Sequence, residues 1–255
     1  MDLTLIIVAC IILVLGSMLQ SAAGFAFGMF AIPLLILIGY EPFEAIAMIS
    51  LCGGIQTVVG VYSLRKHIEW GEVFGLVLIS VITVPVGVWA LDYLSARLGD
   101  DGVKQVFGVL ILAGLSVQIW WKIEHRAYVH RAWGLIAGGL AGFIGGVSGM
   151  GGPPVVMWVH AHDWSNQRSR ATLWAYFSGL VPLQVFFLYR QFGQGVIDAL
   201  VVGAMLAPAM ILGIIPGLWI GHRIPKARLR QMSFGIIFAI SLAAIFEPIV
   251  RGMFL

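Results

Sequence analysis

Apolar residues fill ten segments of this chain, near 3–21, 25–39, 43–64, 71–93, 104–121, 132–147, 153–161, 171–189, 196–221 and 231–250, separated by short polar or glycine-rich breaks. Most are apolar on every face rather than along one stripe. That is the pattern of helices that cross a bilayer, whose ~30 Å hydrocarbon core takes about 20 residues at 1.5 Å each. Two breaks stand out, Ser21-Ala-Ala-Gly-Phe-Ala-Phe-Gly-Met-Phe-Ala-Ile-Pro33 and Gly146-Val-Ser-Gly-Met-Gly-Gly-Pro-Pro-Val-Val156. Both interrupt apolar helices with glycine and proline. An unpaired amide in hydrocarbon is costly, so such breaks are expected only where the chain lines a cavity or is buried in protein. A pair of them at matching places in two halves points to the binding site of a transporter.

Charge decides how the segments are connected. If each break lies within one continuous helix, Arg65, Lys66, Lys122, Arg126, Arg131, Arg190 and Arg251 share one side and the remaining eight cations the other, which sets no orientation. If each break is a hairpin, only Arg97, Lys104, Arg190 and Arg251 are separated from the other eleven Lys and Arg. That asymmetry is the one expected between external and cytoplasmic loops, and it places both termini outside. Each half then has five membrane segments, and an odd number makes the halves antiparallel. The expected fold is an all-α polytopic membrane protein of two inverted five-segment repeats, 1–125 and 126–255, each with a Gly/Pro-broken helical hairpin. Weaker echoes keep the same order in both halves: Val88-Trp89 with Leu218-Trp219, and Phe107-Gly108 with Phe234-Gly235. Pro153 to Ala161 rises only about 14 Å as a helix, so the second hairpin is expected to re-enter rather than span.

Composition agrees with a membrane chain: 60% of the 255 residues are hydrophobic and 11% charged, against roughly a quarter charged in soluble domains. The first segment carries Asp2 and no Lys or Arg before Ser21, so it reads as an uncleaved span rather than a signal peptide. A net charge of +3 scattered among loops gives no case for nucleic acid. Cys10 and Cys52 are the only cysteines and lie inside spans, so neither a disulfide framework nor a cysteine metal site is expected. No phosphate-binding G-x-x-x-x-G-K-[ST] loop occurs, and no cofactor is implied.

The glycine-rich hairpin with its trailing proline, the helix opening Pro42-Phe-Glu-Ala-Ile-Ala47, the basic turn Arg65-Lys-His-Ile-Glu-Trp70 and Arg170-Ala171-Thr172 together resemble the sulfite exporter TauE/SafE family over nearly the whole chain. The resemblance implies a carrier of small sulfur-containing anions, such as sulfite, sulfoacetate and other organosulfonates, in the bacterial inner membrane. It adds the sulfur; the residues alone indicate a small anion.

A short helix that starts at a glycine break aims free N–H groups and the positive end of its dipole at the gap, which suits an anion. The expected substrate-binding residues are therefore Ser148, Gly149, Gly151 and Gly152 at the second break, with proline fit for the first turn after it. Gln20, Ser21, Gly24 and Gly28 occupy the matching zone of the first. Close helix packing is the competing role for such glycines. Gln56 and Gln184 join the candidates because a buried amide has four hydrogen-bonding sites to satisfy. Ser50, Thr57, Thr172 and Ser178 are weaker, since a buried hydroxyl often bonds its own helix. Arg170 could contact substrate through its planar fork, with loop anchoring as the alternative. His160 and His162 read as interfacial residues, with proton transfer as the alternative.

Asp92, Glu44, Asp198 and Glu247 lie near span ends, so no coupling carboxylate is identified at mid-membrane. Two other functions fit parts of the pattern. One is an anion channel along the same glycine-lined path. The other is an intramembrane serine hydrolase at Ser148, because Gly146-Val-Ser-Gly149 resembles the nucleophile setting of rhomboid proteases, although a serine needs a base within hydrogen-bond reach. The partners expected are the anion and the lipid bilayer, and a homo-oligomer is compatible with the sequence.

Overall fold

A computed structural model describes residues 3–23, 27–120, 129–224 and 226–253. All regular structure among them is helical: α1 (Leu3–Ala23), α2 (Phe27–Leu37), α3 (Pro42–Leu64), a 3-10 turn (Arg65–His67), α4 (Trp70–Trp120), α5 (Arg131–Ser148), α6 (Gly152–His160), α7 (Asn166–Phe192), α8 (Gln194–Arg223) and α9 (Lys226–Met253). Among the described residues seven helical stretches are long and apolar enough to cross a membrane. Two of them lie in α4, as Trp70–Gly99 and Asp101–Trp120. Gly99 separates them with φ 63 and ψ −175, outside the helical region. A left-handed φ is cheap only for glycine, so this residue turns the chain between two spans.

Both breaks are hairpins. Gly16 of α1 and Phe27 of α2 would lie about 16 Å apart along one continuous helix. Yet a Cβ built on Gly16 would stand 3.0 Å from the Phe27 ring, so the chain has reversed. In the second hairpin, Gly151 abuts the carbonyl of Ala141, and a Cβ built on Gly134 would stand 3.2 Å from the indole of Trp158. As one partner advances the other retreats, which is an antiparallel register. At nine residues α6 is about 13 Å long, less than half of the hydrocarbon thickness.

The chain divides into two compact units. The first comprises Met1–Cys52, Leu94–Leu115 and Ile197–Leu255. There α8 lies on α1 through Gly213 and Gly217, whose missing side chains admit the backbone of Val14 and Met18. Ser17 Oγ donates across that contact to Met210 O at 2.9 Å. Gly108 of α4 lets α9 approach until a Cβ would stand 2.9 Å from Ser241 O.

The second unit comprises Gly53–Tyr93 and Ser116–Val196. Here the glycine spacing of α5 sets the architecture. Gly138, Gly142 and Gly146 recur every four residues and meet α4 at Leu76, Ser80 and Val84 in turn, so the two helices run parallel with backbones nearly touching. Ser80 ties the contact together, its Oγ 3.1 Å from Gly138 O and 3.0 Å from Tyr176 OH on α7. Gly134, Ala141 and Gly145 form the other small face of α5, on which α6 folds back. Between α3 and α7, Gly54 receives Val181 and Gly60 receives Trp174, an antiparallel pairing.

Candidate functional site

The second break is the better defined of the two. Helix α5 ends at Ser148, and Gly149 caps it at φ 70 with its N–H on Gly145 O at 2.7 Å. Gln184 of α7 donates its Nε2 to the same carbonyl at 2.9 Å, so it braces the last turn of α5 from a neighbouring helix. Helix α6 then starts at Gly152, with Gly151 as its cap and no side chain capping it. Pro153 and Pro154 follow and have no N–H to offer.

The Ser148 amide belongs to α5, the Gly149 amide bonds Gly145 O and the prolines have none, so the remaining amides between Ser148 and Pro154 are those of Met150, of the cap Gly151 and of Gly152 at the start of α6. The two glycines differ in surroundings. Gly151 is buried against the Ala141 carbonyl, whereas a Cβ on Gly152 would meet only Phe177 Cζ, at 3.7 Å. Gly151 is thus required by the hairpin's packing. Gly152 has room for a Cβ in ordinary contact with Phe177.

Polar groups from neighbouring helices reach the same level. Phe177 marks the level of Gly152 on α7, and Ser178 follows it with a buried Oγ that has no partner. Pro182 removes the donor that the Ser178 carbonyl would otherwise use. The pairing of Gly54 with Val181 and of Gly60 with Trp174 puts Gln56 level with Ser178 and Gly179. Gln56 Oε1 is likewise buried and unpartnered. Buried polar atoms are nearly always satisfied, and the Ser178 and Gln56 oxygens are two of the exceptions among the described residues.

Other expected residues lie elsewhere. Arg170 is exposed, its guanidinium 4.9 Å from the centre of the Trp174 ring. It stands 14 residues before Gln184 on α7, about 21 Å along the axis, so it does not join the break. Thr172 is fully buried with an unpartnered Oγ1, also nearer the Arg170 end. Thr57 Oγ1 bonds Gly54 O at 3.0 Å. Ser148 is buried, and its hydroxyl donates to Ile144 O at 2.8 Å. His160 and His162 hold their Nδ1 atoms against Val156 O and Trp158 O at the far end of α6, so neither serves Ser148 as a base.

At the first break, Gln20 and Ser21 are half-buried at the end of α1, and Ser21 Cβ faces Gly217 of α8. Gly28 is half-buried in the first turn of α2, and Gly24 lies outside the described residues.

Sequence reasoning missed the anchor between the end of α6 and the start of α7. His162 stacks on Trp164 with ring centres 4.2 Å apart, and Trp158 meets His162 edge to face at 4.5 Å. Arg168 lies over Trp164 and bridges to Glu69 with Nε 2.8 Å from Oε1. The density of tryptophan, histidine and arginine in 158–168 was the available signal. The bridge also puts the basic turn Arg65–His67 beside the start of α7, as the hairpin reading of the charges requires.

A helical membrane chain with two glycine hairpins is matched by a family model described as sulfite exporter TauE/SafE, over residues 8–244. The chain belongs to the sulfite exporter TauE/SafE family. It is similar to a probable sulfite/organosulfonate exporter TauE of Cupriavidus necator, 23% identical over 247 residues that cover 93% of this chain and 92% of the relative. No solved structure matches it. Family membership makes the chain a multi-pass membrane transport protein, in keeping with its seven long apolar stretches.

Proposed function

We propose that this chain is a secondary carrier that exports small sulfur-containing anions, sulfite or organosulfonates such as sulfoacetate, across the bacterial inner membrane. The anion binds at the second break. The observation that carries this reading is the glycine start of α6, where a Cβ on Gly152 would touch only the Phe177 ring of α7, next in sequence to the unpartnered Ser178 hydroxyl. An anion at a helix N-terminus gains about 0.3–1 kcal/mol from the dipole, and up to ~2 kcal/mol when partly buried. Three N–H or O–H donors match the oxygens of a sulfonate or sulfite. Gln56 Oε1 cannot donate, but its amide nitrogen can, and the oxygen can take a proton from a hydroxyl or water in the site. The hairpins supply the irregular backbone that a carrier's midplane site needs. The inside-negative potential favours anion exit by about 2.3 kcal/mol per charge per 100 mV, so export needs no coupling ion on energetic grounds.

The test is Gly152→Val. Its branched side chain projects toward the Phe177 ring at the start of α6 while leaving the Gly151 contact with Ala141 intact. Sulfoacetate or sulfite flux from liposomes should fall at least about tenfold, with the elution profile and melting temperature of the parent protein. Parental flux in the variant would contradict the site.

A further inference from the structure

The basic turn between α3 and α4 lies beside the start of α7 in the second unit. Ile68 is buried with Ala171 and Ala175 of α7, in a cluster that Val61 and Leu64 of α3 join. The antiparallel contact of Gly60 with Trp174 sets the register. Four residues on from Gly60 is Leu64, and four residues back from Trp174 is Arg170. Arg170 therefore stands level with the end of α3, where Arg65 and Lys66 follow, within about one helical turn. All three cations are exposed. They lie where spans end: one apolar stretch closes at His67, the next opens at Trp70 and another opens at Asn166.

We propose that Arg65, Lys66 and Arg170 form a binding site for the phosphate of an anionic phospholipid. The site lies on the exposed face of α3 and α7 and takes no part in the break at Gly152, so it stands or falls apart from the carrier reading.

The three cations have no counter-charge in the protein. Among the described residues no carboxylate is within ion-pair distance of Arg65, Lys66 or Arg170. Glu69 is next to the turn, but it is held by Arg168, with Nε 2.8 Å from Oε1. Like charges brought to one level repel, and an anion that joins them removes the cost. Both guanidiniums are placed over rings, Arg65 5.0 Å from the centre of Tyr62 and Arg170 4.9 Å from that of Trp174. A ring face holds a guanidinium without a carboxylate, and its planar fork then suits two oxygens of one phosphate.

The flank of the patch favours a lipid over a free anion. Ile55, Val58, Val59 and Tyr62 are exposed at steps of three and four, so they form one stripe of α3 that ends at Arg65. A lipid whose phosphate rests on the cations lays its acyl chains along that stripe, for which a soluble oxyanion has no use. Tyr62 and Trp70, 71% and 60% exposed, stand at the same span ends, the level that such rings favour in a bilayer. A cation near the membrane surface favours anionic lipid about fivefold, and here three act together.

Native mass spectrometry of the purified full chain, delipidated and titrated with phosphatidylglycerol or phosphatidylcholine of the same acyl chains, is the test. The first phosphatidylglycerol should bind at least about tenfold more tightly than the first phosphatidylcholine. In Arg65→Gln/Lys66→Gln/Arg170→Gln the preference should fall to about threefold or less, whereas Arg190→Gln, at the other end of α7, should keep it. The three side chains are exposed, so the triple variant should melt like the parent. If it does not fold, the single variants carry the comparison, each losing about three- to fivefold. Glycerophosphoglycerol, the same headgroup without acyl chains, should not displace the lipid at about tenfold excess. Equal affinity for the two lipids, a preference that the variants keep, or displacement by the soluble headgroup would each overturn the site, the last by making it one for a free oxyanion.

Discussion

Adjacent glycines at the second break have opposite tolerances. A Cβ on Gly151 runs into the Ala141 carbonyl, a backbone atom that cannot swing away, whereas one on Gly152 reaches only van der Waals distance of Phe177. Gly151→Ala should therefore lose folded protein or several degrees of melting temperature, with a cost of about 1–3 kcal/mol or more. Gly152→Ala should melt like the parent. Unfolding followed by tryptophan fluorescence in detergent checks both. Gln184→Leu is a third case. It removes a donor from Gly145 O, which keeps the Gly149 amide, so the cost should be near 1 kcal/mol rather than that of an orphaned carbonyl. At this scale the sequence was only partly legible. The positions of the glycines were plain, but which of them serve packing depends on what lies opposite, and that is fixed by helices far away in the chain. Ser148 and Arg170 drew attention by residue type, yet one hydroxyl is used by its own helix and one guanidinium rests on Trp174.

The helices of the second unit are positioned by α5. Its glycines at 138, 142 and 146 each meet α4 closely, while Gly139 lies between the two small faces with its nearest neighbour at 3.6 Å. Gly139→Ala should be neutral or slightly stabilising, by up to about 1 kcal/mol from helix propensity. Gly146→Ala would press on Val84 O and should separate the pair, at a cost of about 1–3 kcal/mol. Thermal unfolding of the two variants distinguishes a packing stripe from incidental glycine. The ten apolar segments and both hairpins were legible from hydropathy and charge, because those signals add over many residues. The kink at Gly99 and the parallel pairing of α5 with α4 were not, since a few contacts between distant segments decide them. Val88-Trp89 and Leu218-Trp219 follow Gly87 and Gly217, two glycines that admit the backbone of α5 and of α1 in their respective units, which gives that sequence echo a packing meaning.

For the whole molecule, the hairpin reading makes a topological prediction. With Cys10 and Cys52 replaced by serine, single cysteines introduced as His130→Cys and Asn166→Cys should react with an impermeant maleimide from the same side of the membrane. A continuous helix from α5 through α6 would put them on opposite sides. The charge asymmetry predicts that this side is the cytoplasmic one. Under the proposed function export follows the membrane potential outward, and the account's central claim is that a sulfur oxyanion makes the passage. Flux of labelled sulfoacetate and sulfite from liposomes holding the purified chain tests this most directly, with and without an imposed potential. Saturable flux that accelerates with an inside-negative potential is the predicted result. Folded protein that moves neither anion at any potential would contradict it.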